Sequence, residues 1–147
     1  MKNNHHFIFN EGIWIGEGKV SFSTSAELIH FYTRWVNNKF ESNEIHCKQQ
    51  VEMRGGGEPV TNFFTLSQIT ESNFIITLEN EIIGVSSGKG VVDAKTIAWE
   101  FRGTSEFEGF EAYELQENGD YLLHAEYVST DQHRTTIDGR IWKKITY

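Results

Sequence analysis

Short runs of alternating apolar and polar residues, cut at close intervals by Gly, Asn, Asp and Ser, occupy almost the whole chain and leave it little choice but an antiparallel sheet. Ten segments carry this period of two: Gly12–Ser23, Glu27–Asn37, Glu44–Arg54, Val60–Ile69, Phe74–Glu79, Ile82–Ser87, Val92–Arg102, Phe107–Leu115, Tyr121–Ser129 and Thr135–Thr146. The turn clusters between them include Ser23-Thr24-Ser25, Gly55-Gly56-Gly57, Gly88-Lys89-Gly90, Gly103-Thr104-Ser105 and Asp131-Gln132-His133. Asn118-Gly119 marks the firmest hairpin, because both residues tolerate the positive φ of a two-residue turn. Pro59, beside the triple glycine, suits a strand start, where a missing amide hydrogen costs the sheet least. Only Ser25 to Val36 has any helical character, and it is crowded with β-formers. Sequential strands with tight connections predict an all-β, single antiparallel up-and-down barrel of about ten strands with little or no helix. A two-sheet sandwich has the same alternation and is the competing architecture.

At 147 residues the chain has the length of one domain with one core. The expected organisation is a flexible N-terminal segment over 1–10 followed by a barrel over 11–147. Eleven Phe, five Tyr and four Trp supply bulky side chains to fill or line its interior. A formal charge of -8 opposes the phosphate neutralisation on which nucleic-acid binding depends. Cys47 is the lone cysteine, so no internal disulfide forms, and a cytoplasmic setting is the expectation. The apolar run Phe7-Ile8-Phe9 is too short for a membrane span or a signal-peptide core.

The opening strand, Gly12-Ile13-Trp14-Ile15-Gly16-Glu17-Gly18, resembles that of the calycin superfamily, which comprises lipocalins, fatty-acid-binding proteins and nitrobindin-like barrels. The resemblance implies a calycin-like barrel in which Trp14 closes one end and a basic residue of the last strand, Arg140, packs across it. Ser23-Thr24-Ser25-Ala26 leaves no room for the helical pair of fatty-acid-binding proteins, and Arg140-Ile141-Trp142 lacks the second hydroxyl donor of their carboxylate clamp. Nitrobindin-like barrels hold haem through a late-strand histidine. No histidine lies in the last strand here, since His133 falls in the preceding turn and His124 one strand earlier. No cofactor is therefore expected, with haem as the lesser alternative. Ala125-Glu126-Tyr127 gives a looser similarity to calycin-type bilin lyases.

If apolar residues face inward, one side carries Ile97, Trp99 and Phe101, Leu123, Ala125 and Tyr127, and Ile137, Gly139 and Ile141. Ile45, Cys47, Gln49, Val51 and Met53 share the corresponding face of the third strand, and Phe107, Gly109, Glu111, Tyr113 and Leu115 that of the eighth. Gln49, Glu111, Tyr113 and Tyr127 are then polar groups among apolar walls, the pattern that orients a ligand in a greasy pocket. The opposite parity would turn His30, Tyr32 and Arg34 inward as an anion site, and His124 with Glu126 as two metal ligands. Two ligands without a third fall short of a zinc site, so no metal is expected. Cys47 and His46 point to opposite faces and form no nucleophile and base pair. His5-His6 is read as part of a frayed end. The glycine clusters lack the Gly-Lys-Ser/Thr ending of a phosphate loop.

The function expected from these residues is binding of a small hydrophobic or aromatic molecule in the lumen, without catalysis. Trp14, Trp35, Trp99, Tyr113 and Tyr127 would offer apolar and stacking surface, with Gln49 and Arg140 as polar anchors. Two alternatives stay open. One is an enzyme or chromophore-handling factor using Glu111, or His124 with Glu126, and the other is a filled barrel acting through its acidic surface.

Overall fold

The computed structural model describes residues 5–103 and 107–145. Among them ten strands form, and no helix: β1 (Gly12–Phe22), β2 (Leu28–Asn37), β3 (Ile45–Met53), β4 (Val60–Ser67), β5 (Asn73–Asn80), β6 (Gly84–Val92), β7 (Thr96–Phe101), β8 (Phe107–Leu115), β9 (Tyr121–Ser129) and β10 (Arg134–Lys143). Each strand pairs antiparallel with its sequence neighbour, and β10 returns to β1 to close the barrel. The seam runs from Trp14 opposite Lys143 to Phe22 opposite Thr135. Closure satisfies the hydrogen-bonding edges that an open sheet of this length would expose. It also settles the architecture as a barrel rather than a sandwich. Ser25 to Val36, the one stretch with helical character, forms no helix: from Leu28 onward it lies in β2, because Phe31, Thr33 and Trp35 alternate onto the inner face.

Two turns differ from the sequence expectation. Gly88-Lys89-Gly90 is the middle of β6, not a turn. A Cβ on Gly90 would lie 2.1 Å from the Phe74 ring of β5, so glycine is there to let the ring lie across the strand. The turn falls at Asp93 instead, whose carboxylate accepts the Lys95 and Thr96 amides at 2.9 and 2.8 Å. The β8–β9 hairpin forms, but Gly119 alone takes positive φ, at 92°, and its amide donates to the Gln116 carbonyl. That is a longer connection with a single left-handed glycine rather than the two-residue turn expected of Asn118-Gly119. In the Gly103-Thr104-Ser105 cluster, Thr104 and Ser105 lie outside the described residues.

Parity is the apolar-inward one in most strands; β6 is the exception, with Ser86 and Gly90 buried and Val85 and Val91 exposed. Phe31, Trp35, Ile45, Cys47, Trp99, Tyr113, Ala125 and Ile141 are buried, whereas Tyr32 is 51% exposed. The inner faces do not fill evenly along the axis. One end holds Trp14, Trp35, Trp99, Tyr113 and Tyr121, and into it folds a segment expected to be loose. His5, Phe7 and Ile8 of that segment are buried, Phe7 and Ile8 completely. The Phe7 ring centre lies 4.9 Å from Tyr113, 5.2 Å from Trp35, 5.4 Å from Trp14 and 5.5 Å from Tyr121. His5 reaches the Tyr121 hydroxyl at 2.7 Å and, with its other ring nitrogen, the Asp93 carbonyl at 2.7 Å. Ile8 sits at φ 67°, a conformation a β-branched residue adopts only when its surroundings impose it. The flexible segment of the sequence reading is therefore a stopper over the residues described here, because three apolar side chains in a row find an aromatic socket to fill.

Candidate ligand site in the barrel lumen

The other end of the barrel is hollow. A cavity of about 520 Å³ opens there, walled by Val20, Phe31, Val51, Leu78, Leu123 and Ile137 among other apolar groups and rimmed by Phe22, Ile82, Ile83 and Phe107. Its depth is set by side-chain size. The same inner faces that carry indoles and phenols near the stopper carry valine, leucine and isoleucine here.

At the boundary between packed and hollow halves stands Glu111 on β8. The Tyr113 hydroxyl donates to one carboxylate oxygen at 2.6 Å, and the Tyr127 hydroxyl, from β9, donates to the other. Gly109 makes this convergence feasible, because a Cβ there would lie 2.2 Å from the Tyr127 ring that crosses it. Burial pushes the Glu111 carboxyl above the usual range, outweighing the tyrosine hydroxyls and the neighbouring Trp99 indole, which lower it. Glu111 is half-buried and lines the cavity. Tyr113 and Tyr127 are also pushed well up, first by burial and then by the Glu111 charge, so both stay phenols.

The facing wall carries a chain of amides. Gln49 donates to the Thr33 hydroxyl at 3.1 Å and accepts from Asn62 at 2.9 Å, while Asn62 accepts from Asn80 at 2.9 Å. Asn80 in turn accepts the Ile82 and Ile83 amides of the rim loop, both at 2.9 Å. The ladder runs from β2 across β3, β4 and β5 to the mouth, and it satisfies polar atoms that would otherwise be stranded in an apolar wall. Asn62 and Asn80 escaped the sequence reading. Their signal was their inward parity beside Phe64 and Leu78.

The candidate residues thus divide. Gln49 and Tyr127 line the cavity, with Glu111 between the tyrosines. Trp14, Trp35, Trp99 and Tyr113 do not line it: they are packed against one another beneath its floor, Trp35 stacking on Phe64 and Trp99 on Tyr113 at 5.1 Å each. Arg140 is outside altogether. Between inward Gly139 and Ile141 it must point outward, where it lies 4.5 Å over the Trp142 ring and donates to Asp120 at 3.1 Å. It neither packs across Trp14 nor anchors anything in the lumen.

The opposite-parity clusters lie on the exterior. His124 meets Asp138 at 2.6 Å and Glu126 at 2.9 Å, and Arg134 donates to Glu126 at 2.9 Å. Among the described residues no group of three His, Cys, Asp or Glu is placed to hold a metal ion. His30 and Arg34 are exposed on β2. Cys47 is a buried thiol pushed by burial to about 12, which makes it an inert packing group.

No protein-family profile matches this chain, and no curated protein matches it in sequence. Solved structures do match in shape. The S-type phycobiliprotein lyase CPES from Guillardia theta superposes with a TM-score of 0.70 over 93% of this chain and 89% of its own, at 8% identity. Rv2717c from M. tuberculosis superposes with a TM-score of 0.68 over 92% of each chain, at 14% identity. At these identities the likeness is one of fold, and it is the overall fold of these two proteins that this chain shares.

Proposed function

We propose that the barrel is a binding protein that takes one small, mainly apolar or aromatic molecule through its open end. The carrying observation is the cavity itself. Its volume of about 520 Å³ falls within the roughly 300–1,000 Å³ of small-molecule sites, and a few polar groups interrupt an otherwise apolar wall. Tyr127 and Glu111 would orient the ligand from the floor, and the Gln49 and Asn62 amides from the side.

The test compares the native protein with Ile137→Trp, which puts an indole into the lumen. Naphthyl dyes, haem and a bilin are titrated in turn, following tryptophan emission and thermal unfolding. At least one ligand class should raise the unfolding temperature of the native protein, as preferential binding to the folded state requires, and the blocked variant should lose that shift. No shift with any class would remove the reading.

A second reading is chromophore handling, as the name of the Guillardia theta lyase suggests. The observation favouring it is Glu111, a carboxyl facing the lumen and placed to donate or accept a proton. A visible absorbance band in freshly purified protein, or one gained with bilin and lost in Glu111→Gln, would favour it over simple carriage.

A further inference from the structure

Glu111 differs from the other paired carboxylates of this barrel in the company it keeps. On the outer face Glu126 meets His124 and Arg134, and Asp120 meets Arg140, so each has a basic partner. Glu111 meets two phenols, both neutral, and Trp99 stands opposite it on β7. Among the described residues, no Lys, Arg or His lines the lumen into which it faces. A carboxylate enclosed in this way lacks the positive charge that would offset its loss of water.

We infer that the lumen selects apolar molecules bearing a basic nitrogen, with the ligand's ammonium group supplying the missing cation to Glu111. The inference rests on the lumen being a ligand site and names the ligand's chemistry. Three features bear on it. The amide oxygens of Gln49, Asn62 and Asn80 are engaged within their ladder, as the Glu111 oxygens are by the two phenols, but Glu111 alone of these can carry a full negative charge and so is the strongest acceptor for a cation. The rings of Tyr127 and Phe107, centres 5.8 Å apart, stand by the cavity and offer π faces that attract an ammonium. A ligand with a carboxylate would meet the reverse conditions, since the described residues lining the cavity offer it no cation and set one acid against it. The negative charge of the whole chain adds an attractive field for cations.

In the empty barrel burial favours the protonated carboxyl. An ammonium ion arriving from solution displaces that proton to solvent, whereas a neutral amine takes it directly; either route ends in the same ion pair. The titratable groups facing Glu111 are Tyr113 on its own strand and Tyr127 on β9, both held as phenols, while β7 presents only Trp99. The proton exchanged is therefore that of Glu111.

The experiment is isothermal titration of the full chain with 1-naphthylmethylamine, 1-naphthylmethanol and 1-naphthoate, which share one aromatic body. A hydrogen bond to a charged partner predicts that the amine binds roughly tenfold to a hundredfold more tightly than the alcohol, with the naphthoate weakest. Glu111→Gln should bind the alcohol as before and lose the preference for the amine. Titration in buffers of different ionisation heat should show a proton released when the ammonium form binds. For a variant that fails to fold, the native protein gives the same answer, because the ratio of amine to alcohol affinity should shrink as pH is lowered and Glu111 keeps its proton. Equal affinities for amine and alcohol, or a preference that survives Glu111→Gln, would overturn the inference and leave the lumen reading standing. Failure of all three compounds to bind would overturn the inference, and the lumen reading falls with it if haem and bilin also leave the unfolding temperature unchanged.

Discussion

The two ends of this barrel are built from the same strands with the same alternation, yet one is solid and the other hollow. At the solid end the inward positions are Trp14, Trp35, Trp99, Tyr113 and Tyr121, and Phe7 and Ile8 fill what space they leave. At the hollow end Val20, Val51, Val60, Leu123 and Ile137 alternate with Phe31, Phe107 and Tyr127, and together they leave the axis open. A ten-strand circumference is fixed by backbone closure, so the interior volume per layer is roughly constant and side-chain size decides whether that layer is core or cavity. Stability should therefore concentrate at one end and ligand contact at the other.

The sharpest way to break this comparison is to remove the stopper. Phe7→Ala should cost about 3–5 kcal/mol, the range for deleting a buried phenylalanine, in a denaturant melt. At the opposite rim Ile82→Ala should change stability by no more than about 0.5 kcal/mol, since Ile82 is 79% exposed. Equal costs at the two positions would mean that the ends do not differ as described. Next in size is Gly109→Ala, whose methyl would collide with the Tyr127 ring and the Glu126 carbonyl at 2.2 and 2.5 Å. Overpacking of this kind costs about 1–3 kcal/mol, and here it should also displace Tyr127 from Glu111 and weaken naphthyl binding in the same titration.

Glu111→Gln sharpens the contrast from the hollow side through pH. Burial raises the folded-state value of Glu111 above its ordinary 4.5, so the folded chain holds that proton more tightly than the unfolded chain does. The contribution of Glu111 to stability is thus most favourable below about 4.5 and declines as pH rises towards the raised value. Glu111→Gln should remove that decline, so melts in acid and at neutrality should lie closer together than in the native protein.

The smallest expected effect belongs to the outer face, as a control. Hydrogen bonds to Asp138 and then Glu126 raise His124 above 6.5. Its stabilisation is fully present below 6.5 and fades as pH climbs through the raised value. His124→Ala should lower the unfolding temperature slightly in mild acid and leave it unchanged at high pH, with ligand binding untouched throughout. A large effect, or a change in binding, would place this cluster in the site after all.

Much of this was legible before any coordinates. Most strand positions followed from period-two alternation, and the choice it left open in the ninth strand is resolved by burial, which puts Leu123 and Ala125 inside and His124 and Glu126 outside. Arg140 shows the limit of a motif: the resemblance to calycin barrels suggested an inward role, while its own neighbours, Gly139 and Ile141, required the opposite. Gly88 and Gly90 read as a turn because composition cannot distinguish a glycine that bends the chain from one that makes room for the Phe74 ring. The sequence by itself determined that side chains alternate between two faces, because that depends on a residue and its immediate neighbours; which face is inner in β2, β6 and β9 needed the closed barrel. Only the tertiary structure decided that Phe7 and Ile8 plug one end, that small aliphatics leave the other open, and that Tyr113 and Tyr127 meet on Glu111. Those outcomes depend on which residues share a layer across the closed barrel, and residues that meet there can be more than a hundred positions apart, as His5 and Tyr121 are, 116 residues along the chain.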